Sequence, residues 1–144
     1  MTHAFAFLLA VLVLLPLGPA VAAEPLPTPK KIFFATGSTR GMAGGHVQRG
    51  KHDLYSLNAT AGQYMTITLT IPDDNALFQI YEPGATLGRD GDGTLQFHGK
   101  PLHVPGDGND STRWSGRVPS TGTYLIVIGS TRGNARYSMD IRIE

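Results

Sequence analysis

The sequence contains no cysteine among its 144 residues. This absence excludes disulfide bonds, thiol catalysis, cysteine-ligated metal sites and a lipid anchor attached to a cysteine. A domain without disulfides must be stabilised by its hydrophobic core, and a chain of this length can bury one.

The sequence also has little net charge. Its 12 Lys and Arg residues nearly balance its 11 Asp and Glu residues, so the formal charge is +1. No global field therefore attracts the protein to nucleic acid or to a lipid surface, and we expect neither as a partner. Electrostatic recognition has to come from local groups of charges.

The common patterns of catalytic and metal sites are missing as well. There is no G-x-S-x-G nucleophile elbow, no P-loop and no glycine-rich dinucleotide fingerprint. The histidines show no H-E-x-x-H or similar spacing of zinc ligands. We therefore predict that the protein is not an enzyme and that it has no cofactor and no metal site.

One acidic stretch, D-G-D-G-T at residues 90–94, resembles part of a calcium loop. If Gly93 takes the sixth position of an EF-hand, Gly88 and Gly99 occupy the first and twelfth positions, so the match fails. Turn chemistry explains the stretch without a metal. The alternative is a looser calcium site formed by Asp90, Asp92, Asp107 and Asp110.

The N-terminus carries the one long apolar run of the chain. Residues 4–15 are apolar throughout, Pro16 follows, and Val21 and Ala23 stand at positions −3 and −1 of a cleavage site. The run is shorter than the roughly 20 residues of a membrane-spanning helix. We predict a signal peptide over residues 1–23 with cleavage after Ala23. The exported chain would then comprise a Pro-rich leader, residues 24–29, and a single domain, residues 30–144, in the periplasm or outside the cell.

The domain has the pattern of an all-β protein. Beyond the signal peptide no segment shows helical periodicity, and 18 glycines and 10 prolines mark many turns. Residues 63–71 alternate most clearly, with four apolar residues on one face: Met65, Ile67, Leu69 and Ile71. The pattern predicts an antiparallel β-sandwich of about seven to nine short strands. Residues 84–110 are compatible with long loops or with a weakly marked hairpin.

Glycines dominate the start of the domain. We place the first strand at residues 30–35 and expect the run G-S-T-R-G at 37–41 to end it. Gly44 and Gly45 are expected to loosen the chain that follows. The same pentapeptide recurs at residues 129–133, either by duplication or by chance.

Residues 119–136 form the most informative stretch. A P-S-T-G turn precedes the apolar residues 124–128, which are typical of a strand covered on both faces. A polar loop follows, and period-two alternation then resumes. We interpret the stretch as a hairpin whose exposed loop displays Arg132 and Arg136. These side chains either solubilise the surface or bind carboxylates, for which the guanidinium group is suited.

Several motifs spread over nearly all of the exported chain together resemble the periplasmic inhibitors of g-type lysozyme from Gram-negative bacteria. Broader relatives of that family are the pre-peptidase C-terminal-like β-sandwiches and the inhibitors of i-type lysozyme. The motifs are F-F-x-x-G-S at 33–38, D-x-Y at 53–55, A-G-Q at 61–63, P-x-T-G-x-Y at 119–124, T-R-x-x-A-R at 131–136 and Y-x-x-D-I-x-I at 137–143.

The resemblance implies a small sandwich that inserts a loop into the substrate cleft of a lysozyme, its protein partner. It assigns Arg132 and Arg136 to the acidic catalytic groups of that cleft, with Tyr55 and Thr121 as supporting contacts. Thr121 stands where the family pattern has Ser. Because residues 124–129 span roughly 20 Å when extended, we expect Thr121 and Arg132 at opposite ends of a strand.

The sequence leaves open which type of lysozyme is the target and whether the first G-S-T-R-G loop takes part. A different class of function is also open, namely a sandwich that binds glycan or protein in the cell envelope without inhibiting an enzyme. Aromatic side chains on an exposed sheet face would indicate such a glycan-binding module. Tyr64, on the threonine-rich face of the strand at residues 63–71, is the candidate.

Overall fold

The computed structural model describes residues 22–102 and 112–144. Within these ranges the chain forms strands, and no helix is long and apolar enough to cross a membrane. Most of the predicted signal peptide lies outside the described residues, as do Asp107 and Asp110 of the calcium alternative.

Ten strands are present in the described residues. They are β1 (Lys30–Lys31), β2 (Arg40–Val47), β3 (His52–Ala59), β4 (Tyr64–Thr70), β5 (Ala76–Tyr81), β6 (Thr86–Arg89), β7 (Leu95–His98), β8 (Arg113–Arg117), β9 (Gly122–Ser130) and β10 (Ala135–Ile143).

The strands form two four-stranded sheets. The first sheet has the order β1-β3-β9-β5 and the second the order β2-β10-β4-β8, while β6 and β7 form a separate hairpin. All neighbours are antiparallel except β1 and β3. The all-β antiparallel sandwich is therefore confirmed. The count of ten exceeds the predicted seven to nine because it includes β1, which has only two residues, and the β6–β7 hairpin. This hairpin lies in residues 84–110, for which the sequence was compatible with either loops or a hairpin.

The core lies between the two sheets. Alternate residues of β4 and β10 point inward from the second sheet, and Met65, Ile67 and Met139 are fully buried there. The first sheet contributes Ile126 and Ile128 from β9. Burying one such side chain contributes about 1.5–3 kcal/mol, so this layer is the main source of stability.

Strand β9 is buried on both faces, as its unbroken apolar run predicts. Leu125 and Val127 point away from the main core and form a second cluster with Leu54 and Tyr81. The β6–β7 hairpin covers this cluster with the side chains of Leu87, Leu95 and Phe97. The outer face of the first sheet is thus covered by the hairpin.

The predicted first strand is mostly wrong. Lys30 and Lys31 pair with β3 and the Ile32 N–H donates to the Ser56 carbonyl at 2.9 Å, but the chain then leaves the sheet and Phe33 is 75% exposed. Gly37 lies in the turn that precedes β2 (φ 77°), as expected, whereas Gly41, Gly44 and Gly45 lie within β2 and do not break it. Gly41 lies against the side chains of Ile32 and Phe34, and Gly44 lies against the backbone of Tyr137.

Gly45 shows why this strand needs glycine. A Cβ at this position would lie 2.5 Å from the Tyr137 hydroxyl and 2.7 Å from Asp53 Oδ2. Real Cβ atoms do not approach other atoms so closely, because the overlap is strongly repulsive. A glycine in a strand can mark such a close approach rather than a break.

The predicted arginine hairpin is also wrong. Strand β9 pairs with β3 and β5, whereas β10 pairs with β2 and β4. Residues 131–134 therefore cross from the first sheet to the second, and Gly133 takes the left-handed conformation in this connection (φ 61°). Arg132 lies in the crossover loop, while Arg136 lies within β10.

The two G-S-T-R-G copies lie at opposite ends of the sandwich. In the first copy Arg40 opens β2 opposite Arg142, near the end of β10. In the second copy Ser130 closes β9 opposite Ala76 of β5. The repeat therefore does not create two equivalent loops.

Candidate functional site

Three connections meet at one end of the sandwich. Strand registers place the end of β2 beside the start of β10, and the end of β9 beside the starts of β3 and β5. Arg49 and Arg132 lie on two of these connections, and we call this end the arginine end. Its connections are residues 48–51, 71–75 and 131–134.

Arg49 and Arg132 line the same shallow depression on the surface. The Arg49 backbone N–H donates to Asn134 Oδ1 at 3.0 Å, which joins the 48–51 loop to the crossover loop. Sequence analysis identified Arg132 but missed Arg49. The available signal was the R-G-K turn between two strands, which displays two cations.

The crossover loop is held from inside by Asn75, whose side chain is 6% exposed. Its Nδ2 donates to the carbonyl oxygens of Arg132 at 3.1 Å and Asn134 at 2.9 Å. The Thr131 N–H donates in turn to the Asn75 carbonyl at 2.9 Å. Three hydrogen bonds to one residue thus fix the backbone on both sides of Gly133.

Among the described residues, the Arg132 guanidinium has one hydrogen-bond partner. Its Nη2 donates to the Asp73 carbonyl at 3.0 Å, and the residue is exposed. None of the ion pairs within the described parts of the chain involves Arg49, Arg132 or Arg136. A guanidinium with unused N–H groups can bind a carboxylate through two parallel hydrogen bonds.

The Arg136 side chain lies on the surface next to the arginine end. It is exposed on the outer face of the second sheet, opposite His46 of β2. Arg132 and Arg136 therefore lie at the same end of the sandwich, one on the crossover loop and the other on the adjoining sheet. With Arg49 and Lys51 they give this end four positive charges, and the 71–75 connection adds two carboxylates, Asp73 and Asp74.

Tyr55 lies inside the sandwich and is 3% exposed. Its hydroxyl is 2.7 Å from the Tyr137 hydroxyl, which donates to Asp53 Oδ2 at 2.6 Å. Burial, followed by the bonds to Asp53 and Tyr55, raises the pKa of Tyr137 far above its ordinary value. The expected direct contact of Tyr55 with a partner does not fit this buried position, where its hydroxyl joins β3 to β10.

Thr121 lies at the other end of the molecule, in the turn between β8 and β9. Its Oγ1 accepts the Ala61 N–H at 2.9 Å, which ties this turn to the β3–β4 turn. The prediction that Thr121 and Arg132 occupy opposite ends of β9 is confirmed. Thr121 and Arg132 therefore do not form one continuous contact surface.

The leader does not project freely from the domain. Arg89 donates to the carbonyl oxygens of Glu24 and Pro25, each at 3.2 Å, and its Nη1 donates to the Gly93 carbonyl at 2.8 Å. Glu24 and Pro25 share a cavity with Lys51 of the 48–51 loop. The start of the leader thus lies beside the arginine end.

The acidic stretch at residues 90–94 forms a turn. Asp90 Oδ1 accepts the N–H groups of Asp92 at 3.0 Å and Thr94 at 2.8 Å, and Oδ2 accepts from Gln96 Nε2 at 3.0 Å. These bonds are the local turn chemistry of an aspartate. Among the described residues no group of three or more His, Asp or Glu is placed to hold a metal ion.

No protein-family model and no curated protein matches the chain significantly. Solved structures do share its fold. PliG of Aeromonas hydrophila, a periplasmic inhibitor of g-type lysozyme, is 25% identical with a TM-score of 0.63, over 81% of this chain and 96% of that one. PliG of Salmonella Typhimurium is 20% identical (TM-score 0.54; 83% and 100% covered), and a mutant of Escherichia coli PliG is 18% identical (TM-score 0.50; 81% and 100% covered).

The resemblance drawn from the motifs is therefore confirmed at the level of structure. These three structures are periplasmic inhibitors of g-type lysozyme, and the similarity extends over nearly the whole of each. The two neighbours of lower identity bear on the fold alone.

Proposed function

We propose that this chain is an exported inhibitor of lysozyme, with a g-type enzyme as its target, and that its arginine end blocks the substrate cleft. One observation carries the proposal. Arg49 and Arg132 line a common depression without ion-pair partners among the described residues, on loops fixed from inside by hydrogen bonds. The Aeromonas inhibitor, at 25% identity over 96% of its length, supports the choice of target.

The chemistry of a glycosidase cleft suits this surface. Such clefts hold a pair of carboxyl groups in a groove that is shielded from water when occupied. Arginines entering the groove would bind these carboxylates and exclude the polysaccharide. Removing one partner of a desolvated charge pair costs about 2–5 kcal/mol, so a few contacts can dominate the affinity.

The roles within the site follow from position. Arg132 and Arg49 would make the central contacts, and Arg136 would bind from the adjoining sheet face. Tyr55 would act indirectly, because its hydroxyl bonds to Tyr137 of β10 within the core. Thr121 would support the fold at the far end through its bond to Ala61.

Export is part of the proposal. The predicted signal peptide with cleavage after Ala23 would deliver the chain to the periplasm, which is where the similar inhibitors act. A non-enzymatic role fits the same comparison, since the Aeromonas protein is an inhibitor.

The function is tested by titrating the processed chain against g-, i- and c-type lysozymes that clear bacterial cell walls. We expect stoichiometric inhibition of the g-type enzyme. The double variant Arg132→Ala/Arg136→Ala should lose inhibition, while Lys30→Ala/Lys31→Ala, which removes two charges from β1, should retain it.

Two results would count against the proposal. Full inhibition by the folded double arginine variant would refute the cleft-blocking mechanism. No inhibition of any lysozyme type would refute the function itself.

A further inference from the structure

The outer face of the second sheet is uncovered in the described structure, in contrast to that of the first sheet. The β6–β7 hairpin packs on the first sheet only. Strand registers place alternate side chains of β2, β10, β4 and β8 together on the open face. The face includes Tyr64, which is 46% exposed, and Met42, which is 68% exposed.

This face concentrates positive charge. Among the described residues, five cationic side chains lie on it with two acidic ones, Asp140 and Glu144. Asp140 is shared between Arg40, with which it forms a short ion pair, and Arg142 at 3.9 Å. In the part of the chain that the structure describes, the face thus carries more arginines than carboxylates, although the whole chain is almost neutral. Its cationic residues are Arg40, Arg113, Arg117, Arg136 and Arg142.

The arginines are arranged over an area that suits a polymer. Arg136 and Arg142 are six residues apart on β10, which corresponds to roughly 20 Å, and Arg113 and Arg117 are roughly 13 Å apart on β8. Three strand spacings of about 4.8 Å separate β2 from β8. A small ligand would reach one or two of these charges, whereas an extended chain would reach most of them.

The groups between the arginines favour a sugar polymer. The Tyr64 hydroxyl is 2.9 Å from Ser115 Oγ, which lies 3.2 Å from Thr66 Oγ1, so a row of hydroxyls adjoins an exposed ring. Hydroxyls can exchange hydrogen bonds with sugar hydroxyls, and an aromatic ring presents an apolar face with a polar tip. A membrane surface would require several projecting apolar side chains, and the face offers Met42 and Tyr64.

We propose that the outer face of the second sheet, which shares Arg136 with the arginine end, binds a linear acidic polysaccharide through its carboxylates without needing Arg49 or Arg132. This activity goes beyond lysozyme inhibition. An inhibitor held on an anionic glycan would be concentrated close to the polymer on which a lysozyme acts.

Immobilised polygalacturonate provides the test, with binding of the processed chain measured at low and at physiological salt. We expect saturable binding that weakens as salt rises, because exposed charge pairs are screened. The variant Arg117→Gln/Arg142→Gln should bind about tenfold more weakly, since each exposed pair contributes modestly. Tyr64→Ser alone should weaken binding several-fold.

Two controls distinguish glycan binding by this face from an effect of net charge and from binding at the proposed inhibitory site. Lys30→Gln/Lys31→Gln removes the same charge from the first sheet and should leave polygalacturonate binding unchanged. Arg132→Ala should keep glycan binding and lose lysozyme inhibition, whereas Arg117→Gln/Arg142→Gln should do the reverse. Because Arg117 also donates to the Gly62 carbonyl at 2.7 Å, Arg142→Gln and Tyr64→Ser serve as single variants if the double variant does not fold.

Three results would overturn the proposal. The first is no binding to polygalacturonate at low salt. The second is equal weakening by the two double variants, which would indicate an effect of net charge alone. The third is binding to phosphatidylglycerol–phosphatidylcholine vesicles without binding to the polysaccharide, which would make the face a membrane surface.

Discussion

The crossover loop should depend on Asn75 for both its stability and its function. The buried Nδ2 group donates to two carbonyl oxygens, those of Arg132 and Asn134. Asn75→Ala removes both donors and leaves these carbonyls unpaired. Asn75→Asp keeps the shape of the side chain but turns a carboxylate toward the same two oxygens.

The magnitudes follow from the hydrogen bonds. Each contributes about 1 kcal/mol net, so Asn75→Ala should lower the free energy of unfolding by about 2 kcal/mol. Asn75→Asp should cost more, about 3 kcal/mol at neutral pH, because a buried carboxylate would lack a donor. That environment raises the pKa of the new carboxyl group in the folded state. The additional destabilisation of Asn75→Asp should therefore be absent below the pKa of aspartate in the unfolded state, about 3.9. It should develop as the pH rises toward the higher pKa of the folded state.

Denaturant unfolding measured by tryptophan fluorescence is the assay, because Trp114 is the single tryptophan and is 4% exposed in the core. Asn58→Ala is the matched control, since Asn58 is exposed on β3 and accepts one bond, from Thr123. We expect this variant to stay within about 0.5 kcal/mol of the wild type. An aspartate variant more stable than the alanine variant at neutral pH would refute the reasoning. So would an alanine variant that unfolds like the wild type.

Three further predictions concern other parts of the molecule. Gly45→Ala should lower the free energy of unfolding by more than about 2 kcal/mol, because its Cβ would lie 2.5 Å from the Tyr137 hydroxyl. Denaturant titration measures this change, and a variant as stable as the wild type would contradict the prediction. Desolvation lowers the pKa of His52, which packs edge-on against Phe97 at 5.1 Å, below 6.5. The unfolded state then binds more protons, so stability should fall as pH drops through the folded pKa, and His52→Gln should reduce this loss relative to the wild type. Arg89→Ala should release the start of the leader, which hydrogen exchange or limited proteolysis would detect as faster exchange or cleavage there; unchanged protection would contradict the docking.

Local patterns predict individual strands of this fold well. Residues 63–71 alternate apolar and polar side chains, and β4 occupies Tyr64–Thr70 with its apolar face buried. The unbroken apolar run in β9 correctly indicated burial on both faces. In both cases the sequence period reports directly on which faces of the strand contact other side chains.

The association of strands was harder to predict. The alternation in β9 and β10 is the same whether the two strands pair with each other or lie in different sheets, so the hairpin interpretation failed. Gly44 and Gly45 look like a break because the group that requires glycine at position 45, the hydroxyl of Tyr137, is remote in sequence. Period and turn signals contain no information about such partners.

Only part of the candidate site was predictable, because its residues come together from distant parts of the sequence. Arg132 follows a buried strand in a polar run, which indicates an exposed loop. Arg49 joins it through a bond to Asn134, 85 residues away in sequence, and Asn75 supports the loop from another connection. The interior position of Tyr55 likewise depends on Tyr137, 82 residues away.

The central claim is that the arginine end occupies the cleft of a g-type lysozyme. It is tested most directly by measuring binding of the processed chain to that enzyme with and without a cleft-bound chitooligosaccharide. We predict competition between the saccharide and the chain, and at least about thirtyfold weaker binding for Arg132→Ala. Binding that is unaffected by saturating saccharide would contradict the account, as would an Arg132→Ala variant that binds as tightly as the wild type.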